Sequence, residues 1–219
     1  MLKKRVGILG TSANPLHEGH VALALEALAV AQLDEVLFMV NQNPFKEVNG
    51  FAPVAHRLHL AHLGVRASGH LGNGLKVSEF EVVLRQLGTE NATAVMLAHF
   101  SKAYPELQPV WMMGTDNFVS LHTWGGWRDI MEKYPVVVFG RDQSRDVAQY
   151  SIAATQYQTH ERDVVNFDCE PGTWCFVDGV SHLASSTLIR EALLRKEKPE
   201  FICDEAVAYI RKYQLFGCV

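Results

Sequence analysis

The stretch from Val6 to His20 constrains this chain most strongly, because one short segment carries a strand, a tight loop and a helix start. An apolar run ends at Gly10, turn-forming residues follow, and His17 and His20 stand just before a run of strong helix formers that begins at Val21. A helix start offers unpaired backbone N–H groups and a partial positive charge, which together attract phosphate. Small residues after Gly10 let a phosphate approach the backbone closely. The stretch therefore predicts a nucleotide site.

The two histidines also fit other interpretations. They are compatible with an ordinary helix start that binds nothing. A zinc pair fits less well, since the metalloprotease helix motif has its histidines four apart with a glutamate beside the first, whereas His17 and His20 flank Glu18-Gly19. A Walker phosphate loop is excluded because no Gly-Lys-Ser/Thr follows, and the Gly-x-Gly-x-x-Gly dinucleotide fingerprint is absent.

Composition indicates a soluble globular protein and limits its partners. The 219 residues, 48% hydrophobic and 20% charged, fit a single domain over 1–219. A net charge of −4 argues against a nucleic-acid-binding surface. No apolar run has the length of a signal peptide core or a membrane span, so we expect no membrane partner. Four cysteines without Cys-x-x-Cys spacing fit reduced thiols and a cytoplasmic location, and a homo-oligomer is compatible with all of this.

The order of apolar segments predicts the fold. A buried strand at 35–40 follows the first helix, and strand, helix, strand at this spacing implies a right-handed parallel crossover. Further strands are predicted near 109–113, 136–139 and 174–177. We expect an α/β fold with a Rossmann-like doubly wound parallel sheet, helices on both faces and a small C-terminal helical part at 185–219. Ligands of such sheets bind at the carboxyl ends of the strands.

Two segments between these strands carry candidate side chains. The turn after residue 40 contains Lys46, which is either a site cation or an ordinary solvated lysine. The helix predicted over 52–67 carries His56, His59 and His62 at three-residue spacing. No carboxylate or cysteine joins that row, which disfavours a metal site.

The segment after the predicted strand at 109–113 carries a carboxylate and two indoles. Asp116 follows Gly114 and is either the N-cap of a helix or a ligand for a ribose hydroxyl pair. Trp124 and Trp127 flank a Gly-Gly turn. We expect Trp127 in the core and Trp124 partly exposed, as a platform for an aromatic ring.

A cluster of hydroxyls precedes the C-terminal helices. Ser185, Ser186 and Thr187 supply caps and hydroxyl donors, and Arg190 lies one turn further into the helix. The alternative is a capped surface helix with a solvated arginine.

Three of these stretches resemble one enzyme family. The Pro-Leu-His-Glu-Gly-His segment at 15–20 resembles the Pro-x-His-x-Gly-His signature of nucleotidyltransferases with a HIGH-type motif. The segment at 114–127 resembles the Gly-Ala-Asp-Asn…Thr-Trp-x-x-Trp pattern of nicotinate mononucleotide adenylyltransferases, and 185–190 resembles their Ser-Ser-Thr-x-Ile/Leu-Arg signature. The family's His-Arg pair matches at Arg57, for which we expect a structural role in supporting the site loops.

The resemblance spans nearly the whole chain and is weakest at 65–90 and 142–172. Ala13 stands where the family usually has Phe, which predicts a looser loop over the nucleotide ribose. Phe45 stands where the family often has His. The segment at 92–97 retains one threonine and the leucine of the family's Tyr-Thr-x-Asp-Thr-Leu but loses its aspartate.

The resemblance implies adenylyl transfer from ATP to nicotinate mononucleotide, giving deamido-NAD and pyrophosphate, with Mg²⁺ held through the phosphates and by no protein side chain. The implied catalytic residues are His17, His20 and Arg190. The implied ATP-binding residues are Gly10, Thr11, Ser12, Gly114, Asp116, Ser185, Ser186 and Thr187. The implied mononucleotide-binding residues are Asn14, Lys46, Thr93 and Trp124.

Three alternatives stay open at this point. Nicotinamide mononucleotide is a second acceptor, alone or beside nicotinate mononucleotide. Transfer to phosphopantetheine or a polyol phosphate fits less well with Thr123-Trp124 and the chain length. The altered loop at Ala13 is also compatible with a nucleotide-binding regulator that does not turn over.

Overall fold

One parallel β-sheet runs through the computed structural model, which describes residues 3–41, 51–90, 92–140, 144–178 and 182–218. Within these ranges the sheet has seven strands in the order β3-β2-β1-β4-β5-β7-β6, and every neighbouring pair is parallel. The strands are β1 (Lys4–Thr11), β2 (Glu35–Val40), β3 (Leu75–Ser78), β4 (Leu107–Gly114), β5 (Val136–Phe139), β6 (Glu161–Arg162) and β7 (Trp174–Val177). The strand order reverses between β1 and β4, so the predicted doubly wound sheet is confirmed.

Helices cover both faces of this sheet, as expected for a parallel sheet whose strands are apolar throughout. They are α1 (Glu18–Val30), α2 (Val54–Ala67), α3 (Phe80–Gln86), α4 (Thr93–Ala103), α5 (Thr115–Ser120), α6 (Trp127–Lys133), α7 (Ser144–Ala148), α8 (Ile152–Gln156), α9 (Ser186–Leu194) and α10 (Asp204–Lys212). In the described part of the chain, no helix combines the length and apolar character needed to cross a membrane.

Alternate residues of each strand feed two separate cores. Leu9 belongs to the core under α1 and α2, whereas Ile8 belongs to the core under α4, α5 and α6. On α1 the residues turned to the sheet are Val21, Ala24 and Ala27, whose small or branched side chains let the helix approach the strands closely.

The C-terminal helices form a third layer on the outside of α2. Leu60 and Leu63 of α2 pack with Ile189 of α9 and Ile210 of α10 in a core of their own. The last helix ends at Lys212, just before the backbone turns left-handed at Gln214 with φ 49°.

Short elements were missed by the sequence patterns. Helix α3 has one buried residue, Val82, and the weakly patterned region at 142–172 contains α7, α8 and β6. Elements of five to seven residues make fewer than two helical turns, so no periodicity identifies them.

Glu35 ties the first three strands together at their amino ends. Its carboxylate accepts hydrogen bonds from Lys4 on β1 at 2.7 Å and from Lys76 on β3 at 2.8 Å. Burial raises the pKa of Glu35, but the hydrogen bonds and charges of the two lysines outweigh it, so the net pKa lies below the usual value.

We predict that Glu35→Gln destabilises the protein at pH 7 by about 1 kcal/mol, since both lysines are about half exposed and solvent weakens the ion pairs. A carboxyl whose pKa is lowered by folding stabilises the protein above its unfolded pKa of about 4.3 and loses this contribution as the pH falls through its folded pKa. Urea unfolding at pH 7 and at about pH 3.5 should therefore show the gap between wild type and variant shrinking in acid. Glu26→Gln, at an exposed position of α1, is the matched control, and a gap that does not depend on pH would contradict the assignment.

Candidate active site

A cleft of about 810 Å³ opens at the carboxyl ends of β1 and β4, where the strand order reverses. Its wall combines the loop after β1, the start of α1, the start of α4, the end of β4 and the start of α9. Twelve of the residues predicted to form the site line it together: Gly10, Thr11, Ser12, Asn14, His17, His20, Thr93, Gly114, Trp124, Ser186, Thr187 and Arg190.

The paired histidines both begin α1 and line the cleft. His17 immediately precedes the helix, and its backbone N–H donates to Nδ1 of His20 at 3.3 Å. This bond leaves the proton of the neutral His20 ring on Nε2. The two rings lie 3.9 Å apart between centroids. The histidines thus belong to the helix start and to the cleft at once, which unites the two interpretations of the motif.

Gly19 makes the close approach of His17 to the helix possible. A Cβ at this position would lie 3.1 Å from both Cε1 and Nδ1 of His17 and 3.4 Å from Cβ of Ala184. A side chain here would push the His17 ring away from the helix start. The glycine between the histidines is therefore a packing requirement of the motif.

Arg190 and Ser186 fasten α9 to the loop after β1. The Arg190 guanidinium donates to the Asn14 carbonyl at 2.8 Å and to Thr187 Oγ1 at 3.2 Å, and Ser186 Oγ donates to the Pro15 carbonyl at 2.8 Å. Burial lowers the pKa of Arg190 from its ordinary value, yet an arginine keeps its charge at neutral pH. A solvated surface arginine is ruled out by this placement.

Arg57 holds the same loop from the other side. Its side chain is 1% exposed and donates to the carbonyls of Ala52, Ser12 and Asn41, at 2.9, 2.7 and 2.8 Å. These contacts join α2 to the ends of β1 and β2. The expected structural role of Arg57 is confirmed.

Asn14 also links the loop after β1 to the segment before α2, but here the side chain belongs to the loop. Its Oδ1 accepts the backbone N–H of Ala52 at 3.0 Å, and the side chain is 3% exposed. This bond fixes the segment that leads into α2. A role for Asn14 in binding a mononucleotide stays a prediction beside this structural one.

Trp124 and Thr93 also line the cleft. Trp124 is half-buried and packs against the core under α4, whereas Trp127 is buried in that core, as expected for both. Thr93 is the first residue of α4. A half-buried indole beside a threonine hydroxyl offers an aromatic face and one hydrogen-bonding group to a planar ligand.

Two predicted residues lie outside the cleft wall, and a third is not described. Asp116 is exposed in the first turn of α5, whose N-cap is Gly114, so the interpretation of Asp116 as the cap was wrong. Ser185 is the N-cap of α9, but its hydroxyl makes no capping bond. Lys46 lies outside the described residues, as does Phe45. The ligand-binding roles of Asp116, Ser185 and Lys46 stay predictions.

Two of the three histidines in the row on α2 serve packing. His56 Nδ1 is 2.9 Å from the Tyr209 hydroxyl, and the His59 ring stacks on Tyr209 at 4.2 Å, so these side chains join α2 to α10. Across the ranges that the structure describes, no group of three or more His, Cys, Asp or Glu side chains is placed to hold a metal ion.

The sequence patterns missed several residues of the cleft wall, among them His182, Glu81 and Trp111. His182 precedes the serine cluster in a loop without periodicity, and Glu81 lies on the unpredicted α3. Trp111 is read from sequence as an ordinary strand residue. Its indole lies so close to Gly10 that a Cβ there would approach Cη2 to 2.6 Å.

We predict that Arg57→Met lowers the free energy of unfolding by roughly 3 kcal/mol, because one buried and two partly buried carbonyls lose their hydrogen bonds to a charged donor. Arg57→Lys should fall between wild type and Arg57→Met, since an ammonium cannot reproduce the planar fork. Urea unfolding measures both changes. Arg66→Met, at an exposed position on the same helix, is the control and should change stability by less than about 0.5 kcal/mol; equal effects at 57 and 66 would contradict this role.

Comparisons with known proteins identify the family of this chain. The cytidylyltransferase-like family matches residues 8–192. A probable nicotinate-nucleotide adenylyltransferase of Caulobacter sp. (strain K31) is 35% identical over 192 residues, covering 85% of this chain and 96% of that protein. Another of the same description, from Ruegeria pomeroyi, is 36% identical over 192 residues and 85% of each chain.

A solved structure matches the fold. Plasmodium falciparum nicotinic acid mononucleotide adenylyltransferase, complexed with NaAD, superposes with a TM-score of 0.73 over 99% of this chain and 98% of that one, at 13% sequence identity. The family match runs from β1 through both histidines to Arg190 on α9, and relatives above 30% identity cover most of the chain. These matches confirm the resemblance that the motifs indicated. The chain therefore belongs to the cytidylyltransferase-like family of nucleotidyltransferases.

Proposed function

We propose that this protein transfers the adenylyl group of ATP to nicotinate mononucleotide, forming deamido-NAD and releasing pyrophosphate. The observation that carries the proposal is the convergence of His17 and His20 with Arg190 on one cleft, beside the half-buried Trp124. The relatives' names support this pair of substrates.

The reaction needs positioned donors more than it needs a base. An oxygen of the mononucleotide's phosphate, already ionised at neutral pH, attacks the α-phosphorus of ATP. The bond from that phosphorus to the bridging oxygen of the β-phosphate breaks, and pyrophosphate leaves with the electron pair. No covalent intermediate with the protein forms, and catalysis comes from positioning and charge stabilisation.

The cleft supplies those donors from the start of α1 and the start of α9. Nε2–H of His20 and the ring of His17, at the positive end of α1, donate to phosphate oxygens. Arg190 and Thr187, with Ser185 and Ser186 beside them, hold the departing pyrophosphate, since a guanidinium binds phosphate bidentately. The backbone at 10–12 and Gly114 lets the nucleotide approach closely, with Asp116 on the ribose.

In the same cleft, the indole of Trp124 stacks on the pyridine ring. The Thr93 hydroxyl bonds the carboxylate of that ring. Asn14 and Lys46 complete the mononucleotide site.

Magnesium belongs to the same proposal. The side chains that line the phosphate end of the cleft are imidazole, hydroxyl and guanidinium, which suit phosphate oxygens rather than a hard cation. Mg²⁺ would therefore be held by the phosphates of ATP, where it neutralises charge on the leaving group.

The remaining features of the proposal concern the whole protein. It works as one domain over 1–219 in the cytoplasm, where its four free cysteines stay reduced. Its partners are small molecules, in keeping with a net charge of −4, and a homo-oligomer stays a prediction.

Pyrophosphate release across a panel of acceptors tests the function. With MgATP fixed, we expect the highest kcat/KM for nicotinate mononucleotide, compared with nicotinamide mononucleotide, phosphopantetheine and glycerol phosphate. A higher kcat/KM for nicotinamide mononucleotide would show that the proposed acceptor, nicotinate mononucleotide, is wrong. Calorimetric binding of MgATP without pyrophosphate release from any acceptor would mark a regulator and refute the proposal.

We expect His20→Ala and Arg190→Ala each to lose roughly 10²–10³ in kcat, the usual effect of removing one donor aimed at transition-state charge. Steady-state kinetics measures the loss, and circular dichroism checks that both variants remain folded. Arg195→Ala, which removes an exposed arginine just after α9, is the control and should keep wild-type turnover. Near-normal turnover in either cleft variant would remove that residue from the mechanism.

For Trp124→Ala we expect a roughly tenfold higher KM for the mononucleotide with little change in kcat, because ring stacking acts equally in the ground state. Trp124→Phe should recover most of the loss, since it keeps an aromatic face. The KM for ATP serves as the internal control and should not move. If the mononucleotide KM stays at its wild-type value in Trp124→Ala, the stacking role is wrong.

A further inference from the structure

His182 lines the cleft, although no motif of the sequence assigned it a role. It lies four residues before the start of α9, on the same wall as Ser186, Thr187 and Arg190. The ring is half-buried. Its position adds a third imidazole to the phosphate end of the site.

The ring of His182 is held in one tautomer by its own loop. Nδ1 accepts the backbone N–H of Ala184 at 3.0 Å, so in the neutral ring the proton is on Nε2. One ring nitrogen is thus committed to the loop, and the other is left as a hydrogen-bond donor.

A second contact packs the ring against Phe201, whose backbone is bonded to the start of α1. Phe201 packs edge-on against His182 with centroids 5.1 Å apart and planes at 80°. The carbonyl of Phe201 accepts the backbone N–H of Glu18, the first residue of α1, at 3.0 Å. His182 is therefore anchored to the wall that carries Arg190 and, through Phe201, to the wall that carries the paired histidines.

The surrounding groups indicate an anionic ligand. Ala184 lies against Gly19, where an added Cβ would come within 3.4 Å of it, so the His182 loop adjoins the His17–His20 segment. The groups around it are imidazole, hydroxyl and guanidinium donors, which together suit several closely spaced phosphate oxygens.

We propose that His182 is a substrate-binding residue whose Nε2–H donates to the polyphosphate of ATP beyond the α-phosphate. This inference rests on the proposed function and extends it by one residue. It predicts that His182 contributes to binding of ATP and of pyrophosphate but not to binding of AMP, which lacks those phosphates.

Two variants separate this role from a structural one. His182→Asn keeps an acceptor for the Ala184 N–H but loses the donor at the Nε2 position, whereas His182→Gln places an N–H near that position. Calorimetry with MgATP, magnesium pyrophosphate and AMP should show about tenfold weaker binding of the first two in His182→Asn, with AMP binding unchanged. His182→Gln should recover part of the loss. His99→Asn, at an exposed position of α4, is the matched control and should bind all three as wild type does.

The outcomes distinguish the two levels of proposal. Wild-type affinity for MgATP and pyrophosphate in His182→Asn, or an equal loss for AMP, would overturn the role of His182. Failure of the proposed function would appear instead as absent pyrophosphate release by the wild-type protein with every acceptor, measured in the same preparation.

Discussion

The site depends on how the backbone carbonyls of the loop after β1 are satisfied. A buried carbonyl without a donor costs free energy, and this loop turns its carbonyls away from the sheet ladder. Arg57 bonds the carbonyl of Ser12, Arg190 bonds that of Asn14, and Ser186 bonds that of Pro15. All three donors come from helices distant in sequence. The loop therefore takes its shape only when α2 and α9 are packed in place.

This arrangement couples the cleft to the third layer of the fold. Leu60 and Leu63 of α2 share a small core with Ile189 of α9, the neighbour of Arg190. The packing that holds the C-terminal helices on α2 thus also places the guanidinium against the loop. Because Arg190 is fixed by its bonds to protein before any ligand arrives, its charge needs little reorganisation when phosphate binds. Stability and preorganisation come from the same contacts.

Features that depend on neighbouring residues in the sequence could be predicted, whereas features that depend on long-range contacts could not. The strands at 35–40 and 136–139 were readable because strands buried on both faces are apolar throughout, and the loop before α1 was readable from its small residues and paired histidines. The side chains that bond to that loop could not be predicted, since the hydrogen bonds from Arg57 and Arg190 span 45 and 176 sequence positions. His182 was not predicted as a site residue for the same reason. Its placement depends on contacts with Phe201 and Ala184, which no sequence spacing indicates.

At Ala13 the chain differs from the family pattern, and contacts from other parts of the fold compensate for the difference. A small residue in place of the family's phenylalanine predicted a looser loop, but Ala13 is 1% exposed and belongs to the core under α1. Its φ of 45° is costly for an alanine, so neighbouring contacts must hold it there. Thr11 Oγ1 accepts its N–H at 3.1 Å, and the carbonyls on either side are bonded by Arg57 and Arg190. The loop is thus restrained by hydrogen bonds although position 13 carries no bulky side chain, and Ala13 gives no reason to expect a cleft that binds nucleotide without turning it over.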